Sequence, residues 1–223
     1  MHVQIVLFDG FDPLDAIAPF EVLHAGGTAS GGAVSVELVS AEGPREVVSG
    51  AGGLSLRATG TLDPRRPGVV LVPGAAGRVG DPADLEDDAT PEDAIPVRLA
   101  RTLETGLPVL LKAAMEDERI TVATVCGGSL VLAMAGLLQG RHATTHHMGV
   151  DLLDATGVHA VRARVVDDGD LITAAGVTSG LDLGLYLLER EVGPQIAHAV
   201  EELFAHERRG TTWRPDGPEP ATF

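Results

Sequence analysis

The chain predicts an α/β fold, a three-layer α/β/α sandwich around a mainly parallel sheet. Two observations predict it. Strand-like and helix-like segments alternate from the first residues onward, the pattern of strands laid side by side and joined by crossover helices. Several strand-like runs, such as residues 69–72 and 120–125, are short and rich in Val, Ile and Thr, as buried strands are. With 44% hydrophobic and 22% charged residues, the 223-residue chain can bury one sizeable core. One domain is expected over residues 1–209, with a Pro- and Gly-rich tail at 210–223 expected to be mobile.

Each element has its own signal. Residues 3–8 read as the first strand. Asp12-Pro13 opens a helix, because proline suits its first turn, and Gly26-Gly27 is expected to end it after about residue 25. Residues 34–40 form a second strand. Residues 46–56, broken by Gly50 and Gly52-Gly53, form a short hairpin. Residues 68–72 run as a strand into a Pro73-Gly74 turn, and the acidic stretch 77–93 reads as a surface loop. Helical sequence covers 94–116, interrupted at Gly106-Leu107-Pro108. Residues 120–125 are a strand and 129–138 a helix, followed by a helix over 147–156. A hairpin at 161–166 and 171–175 turns about Asp167-Asp168-Gly169, and helices at 178–191 and 194–207 follow.

Composition excludes several functions. The net charge of −16 argues against nucleic-acid binding, which needs basic patches to neutralise phosphates. A single cysteine excludes an internal disulfide and a multi-cysteine zinc site, and suits a reducing compartment. The N-terminal residues lack a signal-peptide pattern, and no apolar run approaches membrane-spanning length, so no membrane partner and a cytoplasmic location are expected. With no G-x-G-x-x-G, P-loop or metal-ligand cluster, neither cofactor nor metal is expected. Lys112 is the sole lysine and asparagine is absent, a bias that a GC-rich genome explains.

The cysteine is the residue that draws attention. Cys126 stands where the 120–125 strand stops and a helix begins, and Gly127-Gly128 permits a sharp turn there. On such a nucleophile elbow the side chain is exposed at a sheet edge, and the helix N-terminus is expected to favour thiolate. The competing reading is a buried packing cysteine. Gly74, Ala75 and Gly127 can offer backbone N–H groups to developing charge at the strand ends, whereas Gly128 reads as a tight turn. Asp15 is the acid of interest. In Asp12-Pro13-Leu14-Asp15 it either completes a helix cap or manages the cysteine proton, and Ala16-Ile17-Ala18 would raise its pKa. Pro19 makes that helix irregular. His146 and His147 are adjacent and cannot share one helix face, so they are not a metal pair. One of them could serve as base or line the pocket wall. Thr145 can line the same pocket, and Thr178 and Ser179 either cap the following helix or reach the pocket.

Taken in order, Ile5-Val-Leu-Phe-Asp-Gly10, Leu14-Asp15 through Leu23, Val70-Leu-Val-Pro73-Gly74 and Ala123-Thr-Val-Cys126-Gly-Gly128 resemble the DJ-1/PfpI superfamily, in its isonitrile hydratase-like branch. Ala135-Gly-Leu-Leu138, Arg141-His-Ala-Thr-Thr-His146 and Ile172 through Gly180 extend the resemblance over nearly the whole chain. The resemblance implies a flavodoxin-like (class I glutamine amidotransferase-like) fold, a homodimer, a small-molecule substrate, Cys126 as nucleophile and Asp15 as its acidic partner. It further implies a hydro-lyase that converts an isonitrile to an N-substituted formamide through a thioimidate on Cys126. The alternatives are a glyoxalase, deglycase or amidase acting on small carbonyl compounds, and a non-enzymatic redox or small-molecule sensor. One position departs from the pattern. Isonitrile hydratases resemble Cys-Thr-Gly at the elbow and PfpI-type peptidases carry histidine after the cysteine, where this chain has Gly127. DJ-1-like glyoxalases have glutamate where Asp15 stands. Only about 16 residues follow residue 207, too few for the helix-turn-helix domain fused to this module in some regulators.

Overall fold

The computed structural model describes residues 1–79 and 91–218. The chain begins with β1 (His2–Val6), which pairs in parallel with β2 (Ser35–Ser40) on one side and β6 (Gly68–Val72) on the other. Beyond β6 lie β7 (Ile120–Val125) and β11 (Leu171–Ala174), both parallel, and then β10 (Val165–Asp167), which runs antiparallel to β11. The two-residue β5 (Gly60–Thr61) completes the other edge, giving the order β10-β11-β7-β6-β1-β2-β5. Strand order reverses between β1 and β6. Ligands in open parallel sheets bind outside the carboxyl ends of strands at such a point.

Helices cover both faces. α1 (Pro13–Ala29), α6 (Ser179–Glu191) and α7 (Pro194–Phe204) pack together on one face. On the other lie α2 (Ile95–Arg101), α3 (Leu107–Met115), α4 (Gly128–Met134) and α5 (Val150–Asp154). The central strands are apolar because both faces are covered: Val3, Ile5, Val70, Leu71, Val122 and Val125 are all buried. This is a flavodoxin-like three-layer sandwich. A hairpin of β3 (Arg45–Val48) and β4 (Ser55–Ala58) forms a sheet of its own, as does the parallel pair β8 (His142–Ala143) and β9 (His159–Ala160). Among the described residues no helix is long and apolar enough to cross a membrane.

Several expected boundaries move, for physical reasons. Gly26-Gly27 does not end α1, because these glycines serve packing. A Cβ on Gly26 would lie 2.3 Å from Leu188 Cδ2 on α6, and one on Gly27 would lie 2.5 Å from the Val34 carbonyl oxygen. Gly184 of α6 approaches α1 in the same way, with its Cβ position 2.8 Å from Val22 Cγ1. The helix expected over 129–138 stops at Met134, one residue before Ala135 and the left-handed Gly136 (φ 73°). The helix expected over 147–156 begins as a 3-10 turn at His147–Gly149. β5, β8 and β9 escape sequence patterning because two residues carry no periodicity. Of the acidic 77–93 stretch, residues 80–90 lie outside the described residues. Within the tail, Trp213 bridges Val166, its N–H donating to the Val165 carbonyl and its carbonyl accepting from Asp167.

The α1–α6 contact makes a test in which two effects have opposite signs. Alanine is favoured over glycine inside a helix by about 1 kcal/mol. Overpacking a close interface costs about 1–3 kcal/mol. Gly26→Ala is expected to lower stability in urea unfolding, and a gain would show that Leu188 yields freely.

Candidate active site

Three strand ends meet at the switch point: the loop after β1, the turn after β6 and the residue after β7. At that last position the chain reverses sharply, and Cys126 takes up φ 55°, a left-handed conformation shared among described non-glycine residues only with Ala205. Such backbone costs about 1–3 kcal/mol and persists only where surroundings hold it. Here four hydrogen bonds do so. The Cys126 N–H donates to the carbonyls of Ala174 (3.0 Å) and Ala175 (2.9 Å) at the end of β11. Its carbonyl accepts from the hydroxyls of Thr145 (2.8 Å) and Ser129 (3.3 Å). Gly128 is required by close approach, since a Cβ there would lie 2.1 Å from the Val72 carbonyl oxygen. The strand-to-helix reversal at Cys126 is as expected, whereas Gly128 opens α4 and its glycine answers to close approach rather than to a tight turn.

Asp15 comes from the first turn of α1. The N-cap is Asp12, whose Oδ1 accepts from the Leu14 N–H at 2.9 Å. Asp15 instead reaches across to the turn after β6, where its Oδ2 accepts from the Gly74 N–H at 2.9 Å. Its other oxygen, Oδ1, is buried with no hydrogen-bond partner, and the carboxyl interacts with the Cys126 side chain. The capping alternative for Asp15 therefore falls away. So does Gly74 as a donor to developing charge, because its N–H is already engaged. A Cβ on Gly74 would lie 2.6 Å from the Gly127 nitrogen and 2.8 Å from Asp15 Oδ2, so only glycine fits between them.

The Gly127 N–H faces the Cys126 side chain and stabilises its charged form. Ala75 is buried and bridges Phe11, and the flanking bonds of that bridge come from the N–H groups of Asp12 and Ala76. Ala75's own N–H lies outside that ladder. Leu99 of α2, which the sequence does not flag, packs against the elbow: its Cδ1 is 3.2 Å from the position of a Cβ on Gly127.

Electrostatics overturns the expectation of a low thiol pKa. Burial, followed by the charges on Asp15 and Asp12, pushes the Cys126 thiol up despite the Gly127 N–H. Burial first, then the Asp12 charge, likewise holds the Asp15 carboxyl well above the usual carboxylate range. Ionised together, the two would place two negative charges in a site that excludes water. Each charge therefore opposes the other, and the two groups titrate as a coupled pair.

The remaining candidates gather beside the elbow. His146, Thr145, Thr178 and Ser179 line a cleft of about 520 Å³ with His147, Arg162 and Arg164. Thr145 spends its hydroxyl on the Cys126 carbonyl. His146 accepts from the Met148 N–H through Nδ1, its ring lies 4.2 Å from that of His147 and tilted to it, and burial then His147 lower its pKa. Among the described residues no hydrogen bond joins His146 to Cys126. Thr178 precedes α6 without capping it, its hydroxyl accepting instead from Arg164 at 3.1 Å. Ser179 Oγ is buried and has no hydrogen-bond partner. No group of side chains among the described residues could hold a metal ion.

A profile of the DJ-1/PfpI family matches residues 98–190, which include Cys126, Thr145, His146, Thr178 and Ser179. The isonitrile hydratase of Pseudomonas putida is 36% identical over 90% of this chain and 76% of its own length. The chain belongs to the DJ-1/PfpI family. Its relatives include the HTH-type transcriptional regulator CdhR of Pseudomonas aeruginosa, 27% identical over 89% of this chain, and the protein DJ-1 homolog A of Arabidopsis thaliana, 26% identical over 99%. The chain spans about half the length of these two, 53% and 49%. Among solved structures, a ThiJ/PfpI family protein from Pseudomonas syringae superposes with a TM-score of 0.72 at 26% identity, covering 94% of this chain and 76% of that one. Drosophila melanogaster DJ-1beta shares the fold with a TM-score of 0.72 at 18% identity, covering 93% of this chain and 98% of that one.

The coupled pair makes Asp15→Asn informative. Asparagine keeps the shape and an acceptor for Gly74 but removes the charge that opposes thiol ionisation, so iodoacetamide labelling of Cys126 should shift to lower pH. Stability should change as well. The folded carboxyl holds its proton above its unfolded value, so the folded state binds more protons between the two values. Stability then falls as pH rises through that window and stays reduced above it. Asp15→Asn should therefore raise the melting temperature more at about pH 8 than at about pH 4. A variant with unchanged labelling and a pH-independent melting shift would refute the coupling.

Proposed function

We propose that this chain is a cysteine-dependent hydratase that adds water to isonitriles, with Cys126 as nucleophile and Asp15 as proton relay. The observation that carries the reading is the buried Cys126–Asp15 pair, supported by the 36% identity to an isonitrile hydratase. An isonitrile takes both new bonds at one atom. The sulfur bonds to the terminal carbon of R–N≡C, the same carbon receives a proton, and a thioimidate R–N=CH–S results. A thiol and an acid that share a proton on one side of the site suit this addition. Water then bonds to that carbon, its protons pass to nitrogen and back to the pair, and the C–S bond breaks to release R–NH–CHO. Charge is stabilised at the sulfur by the Gly127 N–H, which a helix-opening turn holds in place. Asp15 passes protons with its unpartnered oxygen because Gly74 fixes the other one. The reaction needs no cofactor. A cytoplasmic location and a homodimer belong to the same reading.

Gly127 adopts φ −68°, so threonine is allowed there once Leu99 gives way by a few tenths of an ångström. A hydroxyl at that position could orient water, help of a kind typically worth about 10²–10⁴-fold. With a simple alkyl isonitrile and formamide detected by NMR, turnover should be slow in the wild type, absent in Cys126→Ala and faster in Gly127→Thr. Gly127→Val, which has the bulk without the hydroxyl, should give no gain. Turnover persisting in Cys126→Ala would sink the reading. No turnover in any folded variant, with Cys126 still alkylated, would transfer support to a carbonyl substrate such as methylglyoxal, or to a sensor.

Sedimentation equilibrium at micromolar concentrations should give a mass near twice 23.0 kDa. A single 23.0 kDa species throughout would contradict the homodimer.

A further inference from the structure

Arg98 of α2 stands apart from the site yet ties together the loops that build it. Its Nη1 donates to the carbonyls of Gly50 (2.9 Å) and Ala76 (2.5 Å), its Nε to the Glu92 carbonyl (3.2 Å) and its Nη2 to Asp93 Oδ1 (2.7 Å). Three glycines from three different loops make room for it. A Cβ on Gly10 would lie 3.0 Å from Arg98 Cδ, one on Gly50 would lie 2.3 Å from Nη1, and one on Gly77 would lie 3.2 Å from Nη1. The side chain is mostly covered, at 16% exposure. A guanidinium suits this place because its planar fork serves several acceptors at fixed angles, which an ammonium cannot.

The bonds lead from Arg98 to Asp15. Ala76, held by Nη1, donates its own N–H to the Gly10 carbonyl, and the adjacent Ala75 bridges Phe11. Gly50, the other Nη1 partner, donates its N–H to the Phe11 carbonyl. The Asp12 N–H closes the ladder on the Gly74 carbonyl, and the Gly74 N–H is the donor that fixes Asp15. Arg98 thus orients the short stretch whose first residue sets the carboxyl against Cys126.

We propose that Arg98 is a positioning residue for the Cys126–Asp15 pair, acting through the 74–77 loop. This rests on the reading of that pair as the working group, but not on the identity of the substrate. Without the guanidinium the loop loosens and Gly74 no longer supports the Asp15 carboxylate. Asp15 then keeps its proton to higher pH, and its charge opposes Cys126 ionisation less.

Iodoacetamide labelling across pH tests this directly, because Cys126 is the sole cysteine and labels without ambiguity. Arg98→Met and Arg98→Lys, in proteins that remain folded by circular dichroism, are expected to move the labelling midpoint to lower pH by about half a unit or more. In an Asp15→Asn background the same changes are expected to move it no further, since the residue through which Arg98 acts has lost its charge. A midpoint unmoved in the wild-type background overturns the proposal, as does an equal shift in the Asp15→Asn background. Should Arg98→Met fail to fold, Arg98→Lys decides, and failure of both would make Arg98 a stability residue and overturn the proposal too. Wild-type protein that labels as expected yet hydrates no isonitrile would count against the substrate reading alone.

Discussion

A single backbone hydrogen bond, from the Gly74 N–H to the Asp15 carboxyl, organises the centre of this protein. Around it a carboxyl group is buried beside a thiol with one oxygen unsatisfied, an arrangement that costs folding free energy. The switch in strand order brings β1, β6 and β7 to one edge, and their loops deliver Asp15, Gly74 and Cys126 within reach of one another. Glycines at 74 and 128 let these segments approach more closely than any side chain would allow. The rest of the sandwich can be read as support for that approach: α6 and α1 interlock through Gly26 and Gly184, and β11 offers its terminal carbonyls to the elbow.

The same geometry explains why the cysteine is not an ordinary activated thiol. A short helix follows it, but the Gly127 N–H is outweighed by burial and by the acids on and before α1. Each of the two groups is held towards its neutral form by burial and by the charge of the other. The electrostatics of the thiol therefore depend on the loop whose Gly74 N–H holds Asp15 as well as on the elbow itself.

How much of this was legible in the sequence depended on the range of each interaction. Strand and helix alternation, the elbow at Cys126 and the proline-led start of α1 are local, and they were readable. Gly26-Gly27 was misread because a helix-ending pair and a packing pair look identical until α6 is placed against α1. Asp15 admits two readings because both need an acid on a first turn, and only the fold, by bringing Gly74 within 2.9 Å, removes the cap. Thr178 has the residue type of a cap, yet Arg164, fourteen positions earlier, claims its hydroxyl. Ser129, Leu99 and Arg98 carry no local motif. The widely separated Gly10, Gly50 and Gly77 were the only sequence trace of Arg98, and no periodicity connects them.

The pairing of Trp213 with the β10 edge has a consequence beyond the site. A sheet edge presents unpaired backbone groups to any passing strand, and proteins blunt such edges to avoid sticking to one another. At one margin of this sheet, β5 is only two residues long and offers little template. At the other, the backbone of Trp213 occupies both the Val165 carbonyl and the Asp167 N–H, and its indole lies 5.0 Å from the ring of His142. One residue of the Pro- and Gly-rich tail thus covers one bridge position on the β10 edge. Trp213 so placed takes two backbone groups of β10 away from edge-to-edge pairing with another chain.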